Sequence, residues 1–170
     1  MHFKKIIFLF FLTPIILFPV SCKKEYSMFN PKILKKSITL KNNVAVQISV
    51  VSASFNTNNN YYEKALYWGT DRHKMPETYI KEINIKFRDK NSFIRHSAFS
   101  DLMNIEDINI KILDNGFSIN MTGGRDGTLY YVIIYFDNDG FLTRRRVFSP
   151  CFKDEVWEET KYSFIRRKDM

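Results

Sequence analysis

The chain has 170 residues, 45% of them hydrophobic and 26% charged, a balance that excludes wholesale disorder and allows one compact domain with its own core. Aromatic residues make up 16%, with 16 Phe and 9 Tyr, and such side chains suit pleated, half-buried surfaces, so a strand-rich domain is expected. The formal charge is +8; Lys4 and Lys5 lie in the first 21 residues and the remainder keeps +6, a basic balance compatible with nucleic acid, anionic lipid or plain solubility.

Residues 1–5 are basic and residues 6–20 form an uncharged run interrupted by Thr13, Pro14 and Pro19. A membrane-spanning helix needs about 20 apolar residues, and this run is shorter and broken by proline, so it reads as a signal peptide. It ends in Pro19-Val20-Ser21-Cys22, where a small residue precedes a cysteine. That ending resembles the lipobox of bacterial lipoproteins, departing from it at Pro19, where Leu is commonest. The resemblance covers residues 1–22. It implies diacylglycerol on the Cys22 thiol and removal of residues 1–21; residues 23–36 mix Lys with Tyr26, Met28, Phe29 and Pro31 without a clear period, so residues 22–36 are expected to form a lipid-anchored tether. It also implies a place in the bacterial envelope. The outer membrane is preferred, because Lys23 stands where an Asp would retain some lipoproteins in the inner one. Each buried acyl methylene contributes about 0.8 kcal/mol, so several chains hold such a protein essentially permanently. An exported protein rarely meets nucleic acid, which leaves the membrane and an envelope protein as the expected partners. Acylation of Cys22 would leave Cys151 as the only other cysteine, beside Phe148, Pro150 and Phe152, where a small buried thiol is expected.

A single β-rich domain is expected over residues 37–170. Val44, Val46, Ile48 and Val50 alternate with Ala45, Gln47 and Ser49, the period-two pattern of a half-buried strand. The Asn-rich stretch 56–60 marks a loop. Residues 61–68 (YYEKALYW) fit a short helix or a strand. Ile80, Ile83, Ile85 and Phe87 predict a strand whose partner lies further along the chain. Residues 97–103 (SAFSDLM) carry Ala98, Phe99, Leu102 and Met103 at helical spacing, with Ser97 as a cap, and predict one short helix. Ile108, Ile110 and Ile112, then Asn115-Gly116, then Phe117, Ile119 and Met121 predict a β-hairpin closed by a tight type I′ turn. Further strands are expected at 128–136 and 141–148, around an Asp137-Asn138-Asp139-Gly140 turn, and at 162–165. The expected fold is α+β and mainly β: an antiparallel meander with one or two short helices.

The motifs carry little chemistry. Asp137, Asp139 and Gly140 are spaced like part of a calcium loop, but Tyr135 and Arg146 stand where an EF-hand needs acids, so a hairpin turn is expected. Residues 123–127 (GGRDG) lack the Lys-Ser/Thr ending and following helix of a phosphate loop and read as a turn or bulge. His73 and His96 lack metal-ligand spacing, so neither a metal nor a cofactor is expected. Arg144 and Arg146 share one strand face and Arg145 the other. Glu155, Glu158 and Glu159, beside Trp157, are the expected ion-pair partners in a surface network; if the acids lie elsewhere, Arg144 and Arg146 become the contact for an anionic ligand.

The C-terminal half, through Ser97-Ala98-Phe99-Ser100-Asp101-Leu102, Gly123-Gly124, Arg144-Arg145-Arg146-Val147 and Val156-Trp157-Glu158-Glu159-Thr160, is similar to small uncharacterised bacterial proteins. This implies only that residues 97–162 belong to one domain. No catalytic constellation is evident. The expectation is an envelope lipoprotein that acts as a binding or interaction module, with Arg144, Arg146 and Trp157 as candidate contacts. A periplasmic inhibitor or immunity protein is one alternative, and would show a rigid aromatic or charged edge. An envelope enzyme is the other, and would need a pocket where His96, Asp101 or Asp126 meets a nucleophile.

Overall fold

A computed structural model describes residues 32–41, 43–55, 67–70, 75–92, 94–125, 127–152 and 154–163. Nine strands among them form two antiparallel sheets in which every strand pairs with its neighbour in sequence. The first sheet runs β1 (Ile33–Thr39), β2 (Ala45–Ser54), β3 (Thr78–Phe87) and β4 (Lys90–Ser92). The second runs β5 (Ile105–Leu113), β6 (Gly116–Gly123), β7 (Tyr130–Phe136), β8 (Leu142–Phe148) and β9 (Val156–Lys161). Among the described residues, sheet structure begins at Ile33, within the stretch expected to be a tether.

Alternation decides which face of each strand is buried. Val46, Ile48 and Val50 of β2, Ile83, Ile85 and Phe87 of β3, Ile108 and Ile110 of β5, Phe117, Ile119 and Met121 of β6, and Val132, Ile134 and Phe136 of β7 all enter one core. Phe117 joins the sheets there. Its ring stacks on Phe87 at 6.1 Å and on Phe136 at 4.8 Å. Along one side β1 and β5 run in the same direction. Lys32, before β1, donates to the carbonyl of Glu106, and Lys41, after β1, pairs with Asp114, after β5, at 3.1 Å.

The predicted helix over 97–103 is absent, and helical structure among the described residues is limited to one 3₁₀ turn at His96–Ala98. Leu102 and Met103 instead bridge in extended form to Trp68 and Tyr79. Those pairings take the backbone groups a helix would use: Trp68 N–H donates to the Asp101 carbonyl and Met103 N–H to the Trp68 carbonyl. Asn104, with a positive φ of 52°, then turns the chain into β5. Its side-chain oxygen accepts from the amides of Glu77 and Thr78, and its NH₂ donates to the Gly69 carbonyl.

The turns also differ from expectation. Asp114 and Asn115 span the β5–β6 turn, with Leu113 facing Gly116, and the positive φ falls on Gly116 alone. The two consecutive positive φ angles that a type I′ turn needs occur instead at Arg88 and Asp89, between β3 and β4. β3 pairs with β2 before it as well as β4 after it. The last strand among the described residues is Val156–Lys161, ending before Tyr162; residues 164 and 165 of the expected strand lie outside the described residues. At the β7–β8 turn, Asp137 caps the loop by accepting from the amides of Asp139 and Phe141, which accounts for its spacing without a cation.

Candidate functional site

Bulged pairing at the start of β8, where Tyr135 faces Arg144 and Phe136 faces Leu142, leaves Arg145 on the core face with Leu142 and Val147, where its side chain is only 3% exposed. A buried cation needs carboxylates. Arg145 has two: its guanidinium donates to Asp101 at 2.7 Å and to Glu158 of β9 at 2.8 Å. The second oxygen of Glu158 accepts the indole N–H of Trp68 at 3.1 Å. Trp68 in turn stacks on Trp157, with ring centroids 5.5 Å apart and planes 11° apart. The node therefore fixes an indole pair, and Trp157 remains 42% exposed.

Two buried polar atoms in this node, Arg145 Nε and Asp101 Oδ1, have no hydrogen-bond partner among the described residues. Burial raises the Asp101 carboxyl above its ordinary range and outweighs the lowering effect of Arg145. Nearby, Tyr130 donates to the Met103 carbonyl at 2.9 Å, and burial raises its hydroxyl strongly. Its ring lies against Gly123, where an added Cβ would come within 2.6 Å of the hydroxyl oxygen.

Arg144 and Arg146 occupy the opposite face of β8. The Arg144 guanidinium lies 4.2 Å from the centroid of the Tyr135 ring. Arg146 pairs with Glu159, its register partner on β9, and Lys161 approaches the same carboxylate at 3.6 Å. Hydrogen bonding from Arg146 holds the Glu159 carboxyl below its usual range, helped by the charges of Arg146, Lys161 and Arg144. The acids near Trp157 thus divide between the faces: Glu158 to buried Arg145, Glu159 to exposed Arg146.

Several expected residues take other places. The Cys151 thiol is exposed, correcting the expected buried one. Ser149 Oγ accepts from the amides of Cys151 and Phe152 and holds this connection as an outward turn. His96 meets Phe99 edge-on at 5.1 Å, away from any role with Asp101, which is committed to Arg145. Cys22, His73, Asp126 and residues 56–66 lie outside the described residues. Among the described residues, no group of three His, Cys, Asp or Glu side chains could hold a metal ion, and no helix is long and apolar enough to cross a membrane.

Strand parity sets Arg145 opposite Arg144 and Arg146 as expected, but its place is the core and not a surface network. The available signal was parity, since its strand face is shared with Val147. No protein-family model, curated protein or solved structure matches the chain.

Proposed function

We propose that the protein is a lipid-anchored binding module of the bacterial envelope, held by acyl chains on Cys22 and contacting a partner through Trp157, Arg144 and Arg146. The observation that supports this reading most is the Trp157–Trp68 stack: a large aromatic surface, 42% exposed, yet fixed from behind by Glu158 and Arg145. Rigid, exposed Trp and Arg side chains are the residue types that dominate binding energy at interfaces, because little conformational entropy is lost when they are covered.

Crosslinking in intact envelopes followed by purification tests it, with Cys22→Ala and Trp157→Ala forms as controls. One abundant partner that is lost from the Trp157→Ala form is the expected result; a wild-type sample with no enriched partner would sink the reading. The anchor is tested separately. Radioactive palmitate should label the wild type and not Cys22→Ala, and continued labelling of the variant would remove Cys22 as the acylated residue.

A further inference from the structure

We propose that the outer face of the second sheet binds a linear acidic polysaccharide, laid across the strands along a row formed by Lys111, Tyr135, Arg144 and Lys161. This rests on the binding-module reading and names the ligand class for its Arg144 side. The row follows from register. Lys111 of β5 faces Ser118 of β6, Ser118 faces Tyr135 of β7, Tyr135 faces Arg144 of β8, and Arg144 faces Lys161 of β9. Residues directly opposite one another share a sheet face, so one rung crosses all five strands, a span of roughly 19 Å at the usual strand spacing.

The charge along this rung has one sign. It carries three cations and no acid, and the adjoining rung adds Arg146 and a single acid, Glu159. That carboxylate is shared by Arg146 and Lys161, so it cannot neutralise the face. Arg144 has no carboxylate partner among the described residues, and its guanidinium is held in place over Tyr135. An open hollow of about 690 Å³ lies beside it, lined in part by Tyr135, Thr143, Arg144 and Lys161. Asp114 also borders the hollow, but it is paired with Lys41.

A polysaccharide fits this face better than a bilayer does. The rung presents no exposed aliphatic side chain to insert among acyl chains, since the large exposed apolar residues are Ile33, Met75, Ile112, Leu129, Phe141 and others off the rung. The adjoining rung sets one half-buried aliphatic side chain, Ile133, between amides on one side and the Arg146–Glu159 pair on the other. Asn109 uses its oxygen to accept from the Ile110 N–H, and Asn120 accepts from Ser118, so the NH₂ groups of both stay available for sugar oxygens among the described residues. A repeating carboxylate or phosphate would meet the cations, and ring hydroxyls would meet Thr143 and the amides.

The full-length protein, purified in detergent, is titrated with polygalacturonate, phosphorylated dextran and unmodified dextran. The expected result is binding to at least one acidic polymer and not to the neutral one, weakening steeply as salt rises. The tighter of the two acidic polymers identifies the acidic group. Arg144→Glu combined with Lys161→Glu should weaken binding by about tenfold or more, whereas Lys35→Glu on the first sheet should change it by less than about twofold. Thermal melts confirm that the surface variants stay folded. Binding of the neutral polymer as tight as the acidic ones, or an unaffected double variant, overturns the proposal. Capture by phosphatidylglycerol vesicles with both acidic polymers ignored overturns it in favour of a membrane-facing sheet. A chain that ignores both polymers but still crosslinks one partner through Trp157 loses the polysaccharide and keeps the binding-module reading.

Discussion

Arg145 and Trp68 share one carboxylate, each donating to a different oxygen of Glu158, so a buried charge and a half-exposed indole are fixed by the same residue. Removing the cation strands two acids. Arg145→Met should destabilise the protein by about 3 kcal/mol, the low end for breaking a buried pair, because Asp101 and Glu158 retain some solvent contact. Adding Asp101→Asn and Glu158→Gln to that variant should recover part of the loss in urea denaturation. A triple variant no more stable than Arg145→Met would show that packing of the Arg stem, and not charge, sets the cost.

The same node sets a pH signature. The native state holds the Asp101 proton more tightly than the unfolded chain does, because burial raises its pKa. The stability from that proton is therefore fully present below the ordinary value of 3.8 and is lost as pH rises through the raised native value. Glu159 has the opposite sign. Its depressed native pKa gives stability present above the ordinary value of 4.5 and lost as pH falls through the native value. Relative to wild type, Asp101→Asn should look worse and Glu159→Gln should look better as the medium is acidified. Thermal melts from neutral pH down to about pH 2.5 cover both windows, and parallel trends would contradict them.

Asn104 joins three segments through one side chain and one left-handed backbone angle. Asn104→Ala should cost about 2–3 kcal/mol, since it removes three hydrogen bonds at about 1 kcal/mol each and places a β-carbon at positive φ without the asparagine amide. Asn104→Asp keeps the two acceptor contacts and loses the donor to Gly69, so it should fall between the two in chemical denaturation.

Gly123 carries its requirement in space and not in φ. Gly123→Ala places a methyl group against the fully buried Tyr130 ring and should destabilise by about 1–3 kcal/mol. Combining it with Tyr130→Phe removes the hydroxyl nearest the new methyl, so the two changes should cost less together than the sum of each alone in a double-mutant cycle.

Strands were the legible part of this molecule, and the reason is local. Val46, Ile48 and Val50, or Phe117, Ile119 and Met121, announce their faces within a few residues because alternation is a property of one strand. The segment 97–103 failed for the complementary reason: Leu102 and Met103 hold the spacing of a helix, but their backbones are claimed by Trp68 and Tyr79, which no local pattern reveals. The Arg88–Asp89 turn lacks the Asn-Gly signal altogether. For the site, Arg146 and Glu159 lie 13 residues apart, within reach of inspection, whereas Arg145 and Asp101 are separated by 44 and Trp68 and Glu158 by 90.

Those separations bear on kinetics. Both sheets are meanders, so almost all of their ladders close short loops, and loop closure is the entropic cost that slows folding. Contacts that close across 44 and 90 residues should form after the hairpins, late on the folding route. Substitutions at Arg145 or Trp68 should then leave the refolding rate nearly unchanged and accelerate unfolding, which makes this buried node the latch that sets how long the native state lasts.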